Sequence, residues 1–462
     1  MTPNQSPLRI GLIGFGCVGQ GFYDIVQRQP ELGLTIARIA VKNPDKPRTL
    51  PAGRFTFRAE ELLADADLDL LIEVIDDADE AYRLVSAALR RGRRVVTANK
   101  ALLARHLPEL VQLEQEFGGT LLYEAAVCGS IPIIRTLDGY FSHEPLRAVF
   151  GIFNGSSNYV LTRMSEAGSD YGPALAEAQA QGFAETDPAL DMGAFDPRSK
   201  AVILAAHAFG VYLNPYQVLN LGIESIGAAD IAYAARLGQK IKVVAGLYRL
   251  PNGRVTALVT PQLLGPESPL FAVEHEFNGV VIDAEYAGPQ FLRGRGAGGH
   301  PTGSAVLADV LALRRGLRYR YAKRAAAAPP QLADGLAVEV YLRHADAEVL
   351  REALRWLELP AEANRRYATG VVAVATLLAW RDELRAAGVF VARLGEVRVC
   401  AAAAVQVAFG ARRTPEQGRP TETRPVPAPG RQTAANKCPP AIPHAPKAAP
   451  CRWGSGRALR GR

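Results

Sequence analysis

The feature that most restricts how this 462-residue chain can fold is a glycine pattern near its start. An apolar run at 8–13 leads into the letters GFGCVG at 14–19, a helical pattern follows to about residue 28, and a second apolar run occupies 34–41. A strand, a glycine turn, a helix and a second strand in this order are typical of a dinucleotide-binding βαβ unit. We therefore predict such a unit here, with an ordinary βα turn as the alternative.

Each glycine of the turn has its own expected role. Gly14 permits the tight turn, Gly16 lets the backbone approach a pyrophosphate, and Gly19 allows the helix to pack closely on the strand. The pyrophosphate would also meet the amide groups at the helix N-terminus. These glycines and the intervening Val18 are predicted to bind a cofactor.

The end of the second strand indicates which dinucleotide is preferred. NAD is usually bound there by a carboxylate that accepts a hydrogen bond from the ribose 2′-hydroxyl. This chain instead continues into Lys42 and Asn43, with Lys46 and Arg48 beyond. Cations in this place favour the 2′-phosphate of NADP over NAD. The alternative is a solvated basic turn that accepts either cofactor.

The alternation of strands and helices then continues. The predicted elements are a strand at 67–75, a helix at 81–92, a strand at 93–100, a helix at 107–117 and a strand at 120–127. Strands that alternate with helices in this way form parallel sheets. Ligands bind at the carboxyl ends of such strands, so Asn99 and Lys100 are predicted to lie in the cofactor cleft.

The stretch 182–210, GFAETDPALDMGAFDPRSKAVILAAHAFG, combines an acidic loop with an apolar helix. Its acidic residues are Glu185, Asp187, Asp191 and Asp196. Asp196 followed by Pro197 is typical of a helix N-cap with proline in the first helical position. Lys200 comes about one turn later, so its side chain and that of Asp196 can face one cleft. This arrangement favours a site for a small zwitterion, and the alternative is a simple cap beside ordinary surface charges.

The later chain contains more strands. Two apolar runs joined by Pro-Asn-Gly predict a β-hairpin over 240–250 and 254–264, and more strand follows at 277–294. The glycine-rich segment 293–315 ends in a helix that we expect to be capped near Thr302. Although it is distant in sequence from the first glycine turn, this segment can return to cover the cofactor.

Residues 336–394 show the element order βαββαβ of a ferredoxin-like unit, including two short strands around 362–375 and a helix from Thr376 to Gly388. The first helix of this unit is predicted over 346–358, with Leu350, Leu354 and Leu357 on one face. From residue 397 onward the chain is rich in Pro, Ala and Arg without periodicity, which predicts a disordered tail.

Composition excludes several classes of protein. Hydrophobic residues make up 48% and charged residues 21%, as in soluble globular proteins. The net charge of +7 comes from the tail, because residues 397–462 hold 12 basic and 2 acidic residues and the rest of the chain holds 41 and 44. We therefore expect no nucleic-acid partner. We also expect no membrane partner and a cytoplasmic location, since neither a signal peptide nor a sufficiently long apolar segment is visible. The five cysteines show neither metal-ligand spacing nor a disulfide framework.

Several longer motifs resemble those of homoserine dehydrogenases. The matching pieces follow the family's order over about residues 8–320: GFGCVG, VVTANKALLA, YEAAVCGSIPIIRTL, NGSSNYVLTRM, AETDPALDMGAFDPRSKAVILA and GAGGHPTGSAV. The resemblance implies oxidation of L-homoserine to L-aspartate 4-semialdehyde, or the reverse reduction, with NAD(P) in threonine and methionine biosynthesis. It also implies a homodimer built on the middle domain.

The resemblance assigns roles to the acidic loop and to the strand end. Lys200 and Lys100 match the family's two active-site lysines. We expect Lys200 to be the acid/base at the substrate oxygen and Lys100 to orient and polarise the same oxygen. Glu185 and Asp196 match residues that bind the substrate ammonium group, and Asp191 supports them. A lysine that acts as a base near neutral pH needs a lowered pKa, which a second cation in a closed cleft would provide.

The resemblance further implies a monovalent cation, expected to be sodium. It would be bound by main-chain groups that match Glu124, Val127, Gly129 and Ile131. The predicted cofactor-binding residues are, in full, Gly14, Gly16, Val18, Gly19, Lys42, Asn99, Lys100 and Gly298.

The predicted architecture is α/β with four parts. They are a Rossmann-type dinucleotide-binding domain over 1–130, completed by about 298–320; an α+β substrate-binding and dimerisation domain over 131–297; a degenerate, ferredoxin-like (ACT-like) domain over 330–396; and a disordered basic tail over 397–462.

Three departures from the family pattern stand out. Asp76 and Asp77 replace a glycine pair near the cofactor, His300 replaces an apolar residue, and the ACT-like loop has the sequence ADAE at 345–348, which argues against threonine feedback there. The two aspartates motivate an alternative function, that of a catalytically silent NADP- or amino-acid-binding regulatory protein. A further alternative makes Cys128 the nucleophile of an aldehyde dehydrogenase that forms a thioester.

Overall fold

The computed structural model describes residues 7–359 and 366–399. The sequence predicts a disordered tail from residue 397, but Arg398 and Val399 form a short strand that pairs with Leu336 and Ala337; residues from 400 onward lie outside the described residues. Two β-sheets organise the described chain, one fully parallel and one mixed, with helices packed against them. The predicted α/β class is confirmed.

The first sheet contains six parallel strands in the order β3-β2-β1-β4-β5-β6. Its strands are β1 Leu8–Ile13, β2 Leu34–Ala40, β3 Phe55–Thr56, β4 Leu70–Glu73, β5 Arg94–Thr97 and β6 Thr120–Leu122. Its helices are α1 Cys17–Gln27, α2 Ala59–Ala64, α3 Ala78–Leu89 and α4 Lys100–Phe117. The strand order reverses between β1 and β4, and open parallel sheets bind dinucleotides at that point.

Helix α4 begins seven residues before the predicted Leu107. Strand β5 ends at Thr97, and the Asn99 side chain caps the helix by accepting a hydrogen bond from Leu102 N at 3.0 Å. Lys100 is therefore the first residue of a helix and not the last residue of a strand. The cap places Lys100 at the carboxyl edge of the sheet, as predicted.

The second sheet is mixed and has the order β12-β11-β7-β9-β10-β15-β13-β14, with β8 paired to β10 and β16 to β13. Its strands are β7 Leu146–Ile152, β8 Leu219–Asn220, β9 Lys240–Arg249, β10 Val255–Leu264, β11 Phe277–Ala284, β12 Gly288–Arg295, β13 Leu336–Arg343, β14 Tyr367–Ala373, β15 Phe390–Arg393 and β16 Arg398–Val399. The remaining helices are α5 Ile133–Arg135, α6 Gly155–Ala167, α7 Tyr171–Ala180, α8 Ala189–Met192, α9 Phe195–Ala208, α10 Ala228–Arg236, α11 Gly299–Arg314, α12 Ala347–Trp356, α13 Val374–Ala379 and α14 Arg381–Ala386.

The pairing in this sheet confirms one prediction and refines another. Strands β9 and β10 form the predicted antiparallel hairpin, with Arg249 opposite Val255 and Lys240 opposite Leu264. The run expected as more strand at 277–294 is a second hairpin, β11–β12, whose turn is formed by residues 285–287.

The C-terminal unit extends the same sheet. Strand β15 pairs with β10 in parallel, and Leu350, Leu354 and Leu357 are buried together, as predicted. The helix expected from Thr376 to Gly388 is two helices that meet at Trp380. Of the two short strands expected around 362–375, β14 is described, and residues 360–365 lie outside the described residues. The ACT-like classification and the domain boundaries stay predictions.

The second glycine-rich segment returns to the first glycine turn. A Cβ on Gly21 of α1 would lie 2.2 Å from the carbonyl oxygen of Gly299, so only glycine permits this contact. The expected cap near Thr302 is wrong. Helix α11 starts at Gly299, and its N-cap is Gly298, whose φ of +112° suits glycine. His300, one of the departures from the family pattern, forms a hydrogen bond with Asp24 of α1, with 2.6 Å between Nε2 and Oδ2.

A buried carboxyl on α4 predicts how stability depends on pH. Glu114 is 5% exposed, and burial raises its pKa from 4.5 to about 7. Because the pKa of Glu114 is higher in the folded protein than in the unfolded chain, this group contributes stability at pH values below its unfolded pKa. That contribution is lost as the pH rises to about 7. Glu114→Gln keeps the shape without this loss. Its advantage in the free energy of unfolding should grow from near zero at pH 4 to about 3 kcal/mol at pH 8, at 1.4 kcal/mol per pKa unit. Urea titrations measure it.

The matched control is Glu116→Gln, which changes an exposed side chain on the same helix. It should follow the wild type at both pH values. An equal difference between Glu114→Gln and wild type at pH 4 and pH 8 would contradict the account.

Candidate active site

The predicted site is built around the first turn of α9. This helix begins at Phe195 after Ala194, whose φ is 59°. Asp196 is thus the second helical residue, and its prediction as the N-cap is wrong. Instead of capping the helix, its carboxylate lies within 2.8 Å of three side-chain nitrogens.

The Asp196 carboxylate is shared by two lysines and an amide. Lys200 Nζ donates to Oδ2 at 2.7 Å, Asn154 Nδ2 donates to the same oxygen at 2.8 Å, and Lys100 Nζ lies 2.8 Å from Oδ1. Burial alone would raise the pKa of Asp196. The charges of Lys100 and Lys200 overcome it and hold that pKa well below its usual range. The side chains of Asp196 and Lys200 are thus in contact, as their spacing on the helix predicts.

The two lysines differ in their surroundings. Lys200 is buried and also donates to the carbonyl oxygen of Phe153 at 2.7 Å, so two of its three protons are engaged within the chain. Lys100 has a side chain that is 45% exposed and is therefore the more accessible of the two lysines. Mainly because of the Asp196 charge, the pKa of Lys100 is raised. At Lys100 the charge of the shared carboxylate outweighs burial, which alone would lower the pKa of this lysine.

The other two acidic residues occupy different positions. Asp191 Oδ1 accepts a hydrogen bond from Asn154 Nδ2 at 2.7 Å. Burial, followed by repulsion from Asp196, raises the pKa of Asp191. Glu185 is exposed in the loop, where its charge contributes to the raised pKa of Lys100. Asp191 thus joins the cluster, and Glu185 stands at its outer side.

Asn154 is a site residue that the sequence analysis missed. Its Oδ1 caps α6 by accepting from Ser157 N at 2.8 Å, and its Nδ2 bridges Asp191 and Asp196. The signal was available, because an asparagine immediately before Gly-Ser-Ser at a helix start is typical of an N-cap. The bridging role was not visible, since it depends on two residues far along the chain.

The glycine turn has the geometry that a pyrophosphate needs. Gly14 has a φ of +102°, and a Cβ there would lie 2.8 Å from the carbonyl oxygen of Val74. A Cβ on Gly19 would lie 2.5 Å from the carbonyl oxygen of Gly14. Gly16, by contrast, is the N-cap of α1 and faces space with no atom within 4 Å of a built Cβ. These residues fit a dinucleotide whose phosphates approach Gly16 and the first turn of α1, which includes the half-buried Val18.

Other predicted cofactor residues surround this turn. Gly298 lies near this turn, since its neighbour Gly299 packs closely on α1. A Cβ on Gly299 would lie only 2.9 Å from the carbonyl oxygen of Cys17. Asn99 is at the carboxyl end of β5 and donates to Ile75 O at 3.2 Å. Lys42 is exposed, two residues beyond the end of β2.

The loop after β2 carries one further cation close to the turn. The Arg48 guanidinium lies 5.1 Å from the centre of the Phe55 ring, and Phe55 makes an edge contact with Phe15 of the glycine turn at 5.5 Å. The loop therefore places positive charge beside the first βα turn.

The two aspartates after β4 have separate settings. Asp77 caps α3, since its side chain accepts from Glu80 N at 3.0 Å, whereas Asp76 is exposed. The Asp77 carboxylate is thus engaged with a helix end. This structural role removes part of the reason to infer a silent regulator.

The turn predicted to bind a cation is buried and irregular. Glu124, Val127, Gly129 and Ile131 are all buried, and φ is positive at both Cys128 and Gly129. The carbonyl oxygens of Glu124 and Ile131 each accept one backbone amide, so each retains a second lone pair. Main-chain oxygens of this kind suit a hard cation. Among the described residues, His, Cys, Asp and Glu form no group of three that could hold a metal ion.

Cys128 does not have the properties of a nucleophile. The side chain is fully buried, and burial raises the pKa of the Cys128 thiol to about 12. A reactive cysteine needs a lowered pKa and access to substrate. The structure therefore argues against the thioester alternative.

Comparison with known proteins identifies the family. Residues 14–124 match the model of the homoserine dehydrogenase NAD-binding domain, and residues 132–311 match the homoserine dehydrogenase model. The homoserine dehydrogenase of Corynebacterium glutamicum is 38% identical over 332 residues, covering 68% of this chain and 74% of the relative.

Two solved structures support the same assignment. A homoserine dehydrogenase from Thiobacillus denitrificans aligns with a TM-score of 0.73 and 29% identity over 85% of this chain and 99% of that one. A hyperthermophilic archaeal homoserine dehydrogenase in complex with NADPH aligns with a TM-score of 0.57 and 26% identity over 68% of this chain and 99% of that one. None of the helices in the described part of the chain has the length and apolar character needed to cross a membrane. The chain thus belongs to the homoserine dehydrogenase family and is an oxidoreductase that acts on a hydroxyl group.

Proposed function

We propose that this protein is an NADP-dependent homoserine dehydrogenase that interconverts L-homoserine and L-aspartate 4-semialdehyde in threonine and methionine biosynthesis. The observation that carries the proposal is the pair of lysines on one buried carboxylate, at the sheet edge where the glycine turn also lies. The names of the aligned relatives support the substrate, and the archaeal structure in complex with NADPH supports the cofactor.

The substrate is a zwitterion with a hydroxyl group, and the cluster offers partners for both ends. Asp191 and Asp196, with Glu185 at the outer side, provide negative charge for the ammonium group. Lys200, with one proton not engaged by the chain, acts as the acid/base at the substrate oxygen. Lys100 approaches from the exposed side of Asp196 and polarises that oxygen.

Proton movement follows from this arrangement. In the reduction, a protonated lysine donates its proton to the oxygen that becomes the hydroxyl group, and the oxidation returns that proton. A nicotinamide cofactor bound at the glycine turn would supply the hydride-transfer chemistry. Asp196 keeps both ammonium groups beside the oxygen, so their positions are set before the substrate binds.

The cofactor preference rests on the loop after β2. Lys42 is exposed at the strand end, and Arg48 is oriented by its stacking on Phe55. Both cations suit a 2′-phosphate, and the chain places no carboxylate at residues 41–43.

Three further features belong to the proposal. Main-chain oxygens of the buried turn that contains Glu124, Val127, Gly129 and Ile131 bind a monovalent cation, which we take to be sodium. The protein is a homodimer, as the family resemblance implies, and acts in the cytoplasm, as expected of a biosynthetic enzyme.

Lys200→Ala tests the catalytic assignment. Removal of the acid/base group should lower kcat for homoserine-dependent reduction of NADP by about 100-fold to 10,000-fold, the usual contribution of such a group. The rate is measured from the absorbance of NADPH at saturating homoserine. Ser199→Ala is the matched control, because its hydroxyl donates only to Phe195 O within the same helix turn. A Lys200→Ala rate within twofold of the control would refute the assignment.

Lys42→Ala tests the cofactor assignment. Loss of the ammonium group should weaken binding of NADP about fivefold, equivalent to about 1 kcal/mol for an exposed ion pair, and leave binding of NAD unchanged. Calorimetric titration with both cofactors gives the comparison, and Arg315→Ala, which removes an exposed cation at the C-terminal end of α11, serves as a charge-matched control. Equal weakening for NAD and NADP would show that Lys42 does not contact the 2′-phosphate.

A further inference from the structure

Glu73 is a buried carboxyl group that the proposed chemistry does not use. It is the last residue of β4, is 1% exposed and lies next to β1, opposite Ile13. Its Oε1 accepts a hydrogen bond from Ile75 N at 2.8 Å, and its Oε2 accepts one from the Thr97 hydroxyl at 2.5 Å. Glu73 therefore joins the carboxyl ends of two neighbouring strands.

From Thr97 the hydrogen bonds continue to the residue before Lys100. Thr97 Oγ1 accepts from Asn99 N at 3.0 Å, and the Asn99 side chain caps α4 through Leu102 N. The same side chain donates to Ile75 O, on the loop that Glu73 also binds. Glu73, Thr97 and Asn99 thus form one network between the loop after β4 and the first residue of α4, which is Lys100.

An ionisable group in this place is costly and needs a reason. A buried carboxylate loses its hydration, whereas a neutral side chain could make similar hydrogen bonds at a lower cost. The described groups that act on Glu73 are the Thr97 hydroxyl, the Asn99 side chain and the Ile75 amide, all neutral. Burial therefore dominates and raises the pKa of Glu73 to about 7.

We propose that Glu73 is a positioning residue whose ionised form, acting through Thr97 and Asn99, places Lys100 in the cleft. The inference rests on the proposed dehydrogenase function and deepens it. The ionised carboxylate accepts both of its hydrogen bonds. When the proton of a neutral Glu73 lies on Oε2, that oxygen donates to Thr97 Oγ1, and the Thr97 hydroxyl proton needs a new acceptor. The network beside Asn99 then changes, and with it the position of Lys100.

The test is a pH profile of Glu73→Gln with L-homoserine and NADP. Glutamine keeps the size of the side chain and donates to Thr97, as the protonated acid does. At pH 9 its kcat should be about 10-fold to 100-fold below that of the wild type, the loss expected from a displaced catalytic group. At pH 6 the two should agree within about threefold, because both then donate to Thr97.

Glu114→Gln is the matched control. Glu114 on α4 is a second buried glutamate whose pKa is raised by burial to about 7. Its side chain accepts a hydrogen bond from Leu121 N on β6 and takes no part in the Glu73 network. The Glu114→Gln profile should keep the wild-type ionisation near pH 7, and the Glu73→Gln profile should lose it. Equal profiles for Glu73→Gln and wild type would overturn the inference.

Two further experiments distinguish a failure of the Glu73 inference from a failure of the proposed function or of folding. An inactive wild type that still binds NADP in calorimetry would refute the proposed function, whatever Glu73 does. Where Glu73→Gln fails to fold, Thr97→Val and Thr97→Ser replace it. Thr97→Val removes the hydroxyl group that joins Glu73 to Asn99 and should lower kcat at pH 9. Thr97→Ser keeps that hydroxyl group and should keep the wild-type kcat. Equal kcat values for these two variants would overturn the inference.

Discussion

The interaction on which the site depends is the sharing of the Asp196 carboxylate. Two ammonium groups and one amide contact its two oxygens, and they come from the start of α4, the start of α6 and the second turn of α9. A buried carboxylate without partners would be expensive, and buried lysines without a counter-charge would be equally so. Each charge makes the burial of the others possible, so three distant segments of chain meet at one place.

This sharing also explains why the lysines are ready for a substrate. Both Lys100 and Lys200 are held on the protein before anything binds, and Lys200 is further oriented by the Phe153 carbonyl. Helix starts supply the rigid supports, since Lys100 follows a capping asparagine and Asn154 is itself a cap. Groups that are already in place lose less entropy when the reaction occurs.

Much of this arrangement was predictable because it is local. The glycine turn follows from sterics over six residues, and the Asp196–Lys200 contact follows from helix periodicity. Local rules failed where the rest of the fold decides. Asp196 looked like an N-cap, but the lysines compete for its carboxylate. The start of α4 was placed too late because Asn99 was assigned to a strand. The bridging role of Asn154 depends on two helical aspartates that lie 37 and 42 positions away in the sequence.

Two departures from the family pattern have physical explanations in this chain. His300 pairs with Asp24 and so adds a polar contact where α1 and α11 pack closely. Asp77 caps α3, which uses its charge at a helix N-terminus. Both substitutions are thus compatible with a cofactor site at the neighbouring glycine turn.

The most direct test of the central claim is the steady-state kinetics of Asp196→Asn with L-homoserine and NADP. This variant keeps the shape of the side chain but removes the charge that both lysines share. The control is Asp187→Asn, which changes an exposed aspartate in the loop before α8. The account predicts that kcat/KM of Asp196→Asn falls by about 100-fold or more, because neither lysine keeps its position, while the control stays near wild type. A kcat/KM for Asp196→Asn within twofold of the wild type would contradict it.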